Sequence, residues 1–114
     1  MTDEEMRRAA AIARLNDNLR SKGEDGWTYL SNGIAKLPVE IQQNVIRAVR
    51  LYNEFNSDND PHGEHDGATL TVGEYRIVWK INYYTPGRRG DEKVDPTDPA
   101  ATLRIMTIMF VDML

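Results

Sequence analysis

The stretch ATLTVGEYRIVWKINYY, residues 68–84, decides the fold class. Leu70 and Val72 lead into Gly73-Glu74, a two-residue Gly-X turn of the II′ type that joins antiparallel strands. Beyond the turn, Tyr75, Ile77, Trp79, Ile81 and Tyr83 alternate with Arg76, Val78, Lys80, Asn82 and Tyr84. A period of two sends these sets to opposite faces of a strand. The first face is apolar and aromatic, so it faces a core. The second carries Arg76, Lys80 and Tyr84, interrupted by Val78 and Asn82. Downstream, LRIMTIMFVDML at 103–114 is apolar on both faces, which predicts a strand in the middle of a sheet, covered on at least one side.

Upstream, the periodicity is helical. Ile12, Leu15 and Leu19, extended backwards by Met6 and Ala9, form one stripe and predict a helix over 3–21. Thr2 or Asp3 is placed to cap it, and the glycines at 23–26 end it. In PVEIQQNVIRAVRLYNEF, residues 38–55, Ile41, Val45, Ala48, Val49, Tyr52 and Phe55 share a face, with Pro38 suited to a first helical turn. Between the helices, WTYLSNGIAKL at 27–37 predicts a short strand, with Asn32-Gly33 as a hairpin signal or a turn before the next helix. Trp27 is assigned to the core. The expected architecture is α+β: one domain over 1–114, a two-layer arrangement of an antiparallel sheet of three to five strands with two helices on one face.

Size and composition bound the function. A chain of 114 residues, 40% hydrophobic and 28% charged, is long enough for one ordinary core. It has no cysteine, which excludes disulfides, thiolate metal sites and a cysteine nucleophile. The N-terminal residues lack the apolar run of a signal peptide, no segment approaches a membrane span, and the expected location is the cytoplasm. The net charge is −4, and Asp58, Asp60, Glu64 and Asp66 alone account for it. The balanced remainder argues against a broad nucleic-acid surface. The segment 85–101, with Pro86, Pro96 and Pro99, is a long connection of the kind that carries function or stays disordered.

The candidate site in the sequence is DNDPHGEHDG, 58–67, which holds both histidines, His62 and His65, among four carboxylates. An EF-hand register from Asp58 puts Asp60 at position 3, His62 at 5 and Gly63 at 6, but Thr69 falls where the closing acid belongs. A transition metal could take His62 and His65, with Asp58, Asp60, Glu64 or Asp66 completing the shell, although Pro61 and Gly63 break the helix that would align them. Acid–base chemistry could use His65 beside Glu64 and Asp66, if the fold brings them together. Against these readings, Asp and Asn side chains bond to nearby backbone and build turns, and the loop is dense in them. No phosphate loop is present; GRRG at 87–90 is too short. No cofactor is expected.

Two resemblances add to this reading. The helix pair followed by GEYRIVWKI, a loop and LRIMTIMFV looks like the sheet of small bacterial RelE-like toxin ribonucleases. That likeness implies a sheet-face site of Arg76, Lys80, Tyr84 and Arg104, although those toxins are usually basic and this chain is acidic. A more specific one rests on LNDNLR at 15–20, NG followed by LP at 32–38, DNDPHGEHDG at 58–67, WKINYY at 79–84, DPTDPA at 95–100 and TLRIMTIM at 102–109. Together these phrases resemble a bacterial family known as domain of unknown function 3768. Its members often have an aromatic residue at the position of Gly67 and an acid at that of Asn82. The resemblance implies a small cytoplasmic bacterial protein, often associated with mobile elements, and supplies no activity. The leading functional expectation is a protein-binding or regulatory module without catalysis, such as a mobile-element accessory or counter-defence inhibitor. The alternatives are a RelE-like ribonuclease or other hydrolase, and a metal-binding protein using the 58–67 loop.

Overall fold

A computed structural model of the chain describes residues 1–86 and 94–114. The elements run α1 (Asp3–Lys22), β1 (Trp27–Leu30), α2 (Asn32–Ala35), α3 (Val39–Leu51), β2 (Gly67–Val72), β3 (Tyr75–Tyr84), β4 (Leu103–Phe110) and a terminal 3₁₀ turn, η1 (Val111–Met113). The fold is α+β. The four strands are ordered β1-β4-β3-β2, which places β4 inside the sheet as its apolar faces predicted.

Local chemistry sets the boundaries. Thr2 and Glu5 form a reciprocal capping box at the start of α1, each side chain taking the other's backbone N–H, at 3.1 and 3.2 Å. Gly23 closes the helix at φ 72°, a left-handed conformation that costs glycine little. Asn32-Gly33 makes no hairpin. Ser31 caps the Ile34 N–H instead, and the dipeptide opens the one-turn helix α2. The expected two helices are therefore three. Gly73 takes φ 60°, as the first position of the β2–β3 turn requires.

One expectation about the sheet is corrected. β2–β3 and β3–β4 are antiparallel, but β1 pairs parallel with β4, Trp27 opposite Ile105 through Leu30 opposite Ile108, so the sheet is mixed. The chain leaves β1 through two helices and a hairpin before β4 arrives beside it, and this long excursion lets the two strands run the same way. Gly26 makes that approach possible. A Cβ there would lie 2.5 Å from the Arg104 carbonyl oxygen and 2.9 Å from the Leu19 side chain. Gly26→Ala is therefore expected to destabilise the protein by about 1–3 kcal/mol, as overpacking does, read from the urea midpoint. An unchanged midpoint would show that β1 is not held this close.

The core uses a single face of the sheet. Leu19 of α1, Ile34 of α2, and Val45 and Val49 of α3 cluster with Ile77, Trp79, Ile81, Met106 and Ile108. Leu30, Ala68, Leu70, Val72, Tyr83 and Phe110 pack around them. These are the inward positions of all four strands. The opposite positions, among them Trp27, Tyr29, Lys80, Tyr84 and Ile105, contribute nothing to the cluster. Trp27 is 63% exposed, which corrects its assignment to the core. It neighbours Ile105, an outward residue of β4, and strand alternation leaves it no other direction.

Candidate functional site

The residues singled out in the sequence fall into two places. The 58–67 loop docks against α1. Its turns are built by its own polar side chains: Asn56 Oδ1 accepts the N–H groups of Asp58 and Asn59 at 2.9 and 3.0 Å, and Asn59 Oδ1 accepts that of Asn56 at 2.9 Å. Asp60 is buried, and its carboxylate accepts the His65 N–H at 3.2 Å. That bond holds His65 at φ 53°, a left-handed conformation uncommon outside glycine. Asp58, His62 and Asp66 are exposed.

His65 is enclosed by partners. Its Nδ1 lies 3.0 Å from Asp17 Oδ1, its Nε2 lies 3.6 Å from Asp60 Oδ2, and its ring stacks on Phe55 at 3.9 Å and 4°. Asp17 is also paired with Arg20 at 2.8 Å, and Arg20 donates to the Tyr52 carbonyl at 3.0 Å. The Arg20 guanidinium sits over the Phe55 and Trp79 rings, at 5.2 and 5.1 Å from their centroids. One helical turn earlier, Asn16 is fully buried. It donates to the Glu64 carbonyl at 3.0 Å and the Tyr83 hydroxyl at 2.8 Å, and accepts from Arg104 Nε at 2.7 Å. The loop, α1 and the inner sheet face thus meet in one continuous polar junction.

Chemically, this arrangement is a clamp. A general base needs a ring nitrogen facing a substrate. Both nitrogens of His65 face carboxylates. His62 does not join His65; it lines a shallow pocket with Glu5, Arg8 and Glu64. Among the described residues, no group of three or more His, Asp or Glu side chains is placed to hold a metal ion. An acid at position 82 would not complete a shell in this loop either, because that side chain lies on the outer sheet face beside Lys80 and Tyr84. Burial, and then the Asp66 carboxylate, raise the Glu64 carboxyl above its ordinary value, with His62 and Arg8 opposing. The folded state therefore binds that proton more tightly than the unfolded state. Its contribution to stability is full at acid pH and is lost as pH rises through the raised value. Glu64→Gln is expected to gain up to about 0.5 kcal/mol at pH 7, a gain that disappears below about pH 4. Urea titrations at the two pH values check it, and a variant less stable at pH 7 would reverse the sign.

The second place is the outer sheet face. The structure separates the four residues suggested there. Arg76, Lys80 and Tyr84 are exposed on that face, Arg76 bonded to Thr71 Oγ1 at 2.9 Å. Arg104 is on the inner face, fully buried, under the Tyr83 ring and bonded to Asn16 and the Pro96 carbonyl. In its place the parallel pairing of β1 brings Trp27 and Tyr29 beside Ile105 and Thr107. Trp27, Tyr29 and Tyr84 are 63%, 57% and 47% exposed. The strands place no carboxylate on this face: its charges are Arg76 and Lys80. Arg88, Arg89 and the GRRG segment lie outside the described residues.

Sequence reasoning missed Asn16, Asp17 and Arg20 as a site, although the signal was available. Asn16 and Arg20 continue the spacing of Ile12, so two polar residues sit on the buried stripe of α1. No such signal marked Trp27 and Tyr29, whose direction depends on a strand far along the chain.

Comparison with known proteins bears on both places. A sequence model for the family described as "Protein of unknown function (DUF3768)" matches residues 30–112, which hold the loop and the whole sheet except most of β1, and leave out α1. No curated protein and no solved structure matches the chain. No described helix is long and apolar enough to cross a membrane.

Proposed function

The chain belongs to this family of proteins of unknown function, and we propose that it is a protein-binding module that acts without catalysis, through the outer face of its sheet. The observation that carries the proposal is the exposure of Trp27, Tyr29 and Tyr84 on a face that contributes nothing to the main core cluster and on which Val78 is the buried strand residue. Beside them lie the half-buried Leu103, Ile105 and Met109. Contiguous apolar surface of this kind marks interaction sites on soluble proteins, and Trp, Tyr, Met and Arg are the residues enriched where interfaces form. Arg76 and Lys80 sit among them and favour a partner with acidic groups around an apolar centre. The setting is the one the family resemblance implies, a bacterial cytoplasm and a mobile element, with stoichiometric inhibition of a host or defence protein as the concrete form.

The hydrolase reading has less support. It asks Arg104 to act with Arg76, Lys80 and Tyr84, and the thickness of the sheet lies between them. It also asks for His62 or His65 beside them, whereas His65 packs against α1 with its Nδ1 bonded to Asp17, and His62 lines a pocket with Glu5 and Arg8. The test uses immobilised wild-type protein and the variant Trp27→Ala/Tyr29→Ala/Tyr84→Ser in lysate of a bacterial host. A partner retained near equimolar amounts by the wild type, and lost with the variant, supports the proposal. Retention that survives the variant, or retention of single-stranded RNA with no protein, would overturn it. Aromatic and basic side chains on a sheet also stack bases, so the RNA arm is a real competitor.

A further inference from the structure

Among the described residues the sheet ends at β1 on one side and β2 on the other, and the two edges differ. The Ser31 N–H donates to the Ile108 carbonyl at 2.9 Å. In a parallel ladder alternate residues turn both backbone groups to the same neighbour, so Trp27, Tyr29 and Ser31 face β4. Thr28 and Leu30 face away from it, and nothing among the described residues bonds their two N–H and two C=O groups. Proteins blunt such edges with lysine, proline, a bulge or a covering element. β1, WTYL, has no charge and no proline. Thr28 is turned toward the helices yet is exposed, so the helical layer stops short of this edge. Trp27 and Tyr29 stand exposed on the opposite side. On β2 the outward residues are the small, polar Thr69 and Thr71, and Thr71 takes a bond from Arg76.

The free groups of β1 complement themselves. Thr28 and Leu30 lie on either side of Tyr29. A second copy of the strand, antiparallel about a two-fold axis at Tyr29, sets Thr28 opposite Leu30 of the copy, and Leu30 opposite its Thr28. Each such pair exchanges two N–H···O=C bonds, which satisfies every free group. Tyr29 then stands opposite Tyr29 of the copy on the outer face, an aromatic cross-strand pair. Charge favours the same direction. The exposed Glu24 and Asp25 precede β1, the exposed Lys36 follows it, and none of the three is in an ion pair among the described residues. Antiparallel pairing brings the acids of one copy to the end that carries Lys36 of the other. The strip between them has no charge to repel a second chain of net charge −4. Area sets the strength of the contact. Trp27 and Tyr29 are 63% and 57% exposed, and side chains of their size then offer about 200–300 Å² per copy. Two copies fall below the roughly 1,200 Å² of a stable interface, so the pair is of the weak, dissociating kind.

We propose that two copies of the chain pair antiparallel through β1, centred on Tyr29, and join their sheets into one. The contact does not rest on the partner proposed for the outer face, and it is read with the purified full chain alone. Sedimentation velocity should show monomer at about 1 μM and a dimer that grows in toward about 1 mM. Thr28→Pro removes an N–H that bonds nothing within the chain and should weaken association by about tenfold or more. Tyr29→Glu sets two carboxylates across the axis and should have the same effect if the proline variant does not fold. A cysteine reads the register. Opposed Cα atoms in such a non-hydrogen-bonded pair lie about 4.5 Å apart, within reach of a disulfide. The chain has no cysteine of its own. Under mild oxidation Tyr29→Cys should therefore form a covalent dimer about tenfold or more faster than Thr69→Cys on the β2 edge. Three outcomes overturn the proposal: a chain that stays monomeric at about 1 mM, a dimer that the folded Thr28→Pro or Tyr29→Glu variant retains, or cross-linking of Tyr29→Cys no faster than that of Thr69→Cys.

Discussion

Asn16→Ala is expected to lower the unfolding free energy by about 3–5 kcal/mol, a large share of the roughly 5–15 kcal/mol that holds a domain folded. The reason is what Asn16 leaves behind. Arg104 is fully buried, and among the described residues no carboxylate pairs with it. Among the described residues its Nη1 has no hydrogen-bond partner. Burial pushes its guanidinium down from the ordinary arginine value, with Tyr83 and Asp25 opposing. Asn16 Oδ1 supplies one of the two oxygens that solvate this cation, the Pro96 carbonyl being the other. The same substitution strips the Glu64 carbonyl and the Tyr83 hydroxyl of their donor. Removing one partner of a buried charge costs more than replacing the charge. Arg104→Met should therefore cost less than Asn16→Ala, although it leaves Asn16 Oδ1 unpaired. Urea denaturation with an unchanged m-value measures both. A loss under about 1 kcal/mol for Asn16→Ala, or a larger loss for Arg104→Met, would mean that Asn16 is not what makes the buried cation tolerable.

The second large effect separates the chain's two tryptophans. Trp79→Ala is expected to cost about 3–5 kcal/mol, and Trp27→Ala no more than about 0.5 kcal/mol. Trp79 is fully buried, edge-on to Tyr52 and Phe55 at 5.9 and 6.0 Å, with Arg20 over its ring at 5.1 Å. Truncation leaves a cavity where α1, α3 and the sheet meet, and uncovers Arg20. Trp79→Phe should be milder, partly because the indole N–H is itself buried without a partner among the described residues. Trp27 is 63% exposed and leaves no cavity when removed. Its effect belongs in binding: a residue that costs nothing to the fold while remaining large and apolar on the surface is the signature the proposed interface needs. Acrylamide quenching should separate the two indoles in the same way. A Trp27→Ala variant that loses 2 kcal/mol or more would place Trp27 under cover and remove the main support for the outer face.

The sequence carried the local decisions well, because they depend on neighbours a few residues away. The alternation from Tyr75 to Tyr84 identified the inward and outward faces of β3. The Gly73-Glu74 turn fixed the hairpin, and apolar residues on both faces of 103–110 placed β4 inside the sheet. The helices at 3–21 and 38–55 were legible within a few residues; the second ends at Leu51, where Tyr52 turns extended. Asn32-Gly33 misled because its hairpin preference was overridden by the Ser31 cap and by packing of Ile34 into the core.

The sites were less legible, because their members are far apart along the chain. From its sequence alone, DNDPHGEHDG is a polar loop with two histidines, and it allows a metal, a base or a set of turns. His65 becomes a clamp only when Asp17, 48 residues away, reaches its ring. Arg104 reads as an outward cation on a strand whose two faces are alike in composition. It lies inward because it alternates in step with Met106 and Ile108, and Asn16, 88 residues away, bonds it there. The sequence determined the class of fold, the inner face of β3 and the loop worth watching, since local sterics, periodicity and turn chemistry suffice for those. Only the tertiary structure decided that β1 lies parallel to β4, that Trp27 and Tyr29 face outward, and that Arg104 does not. Those outcomes turn on register between distant strands, where a shift of one residue exchanges the faces.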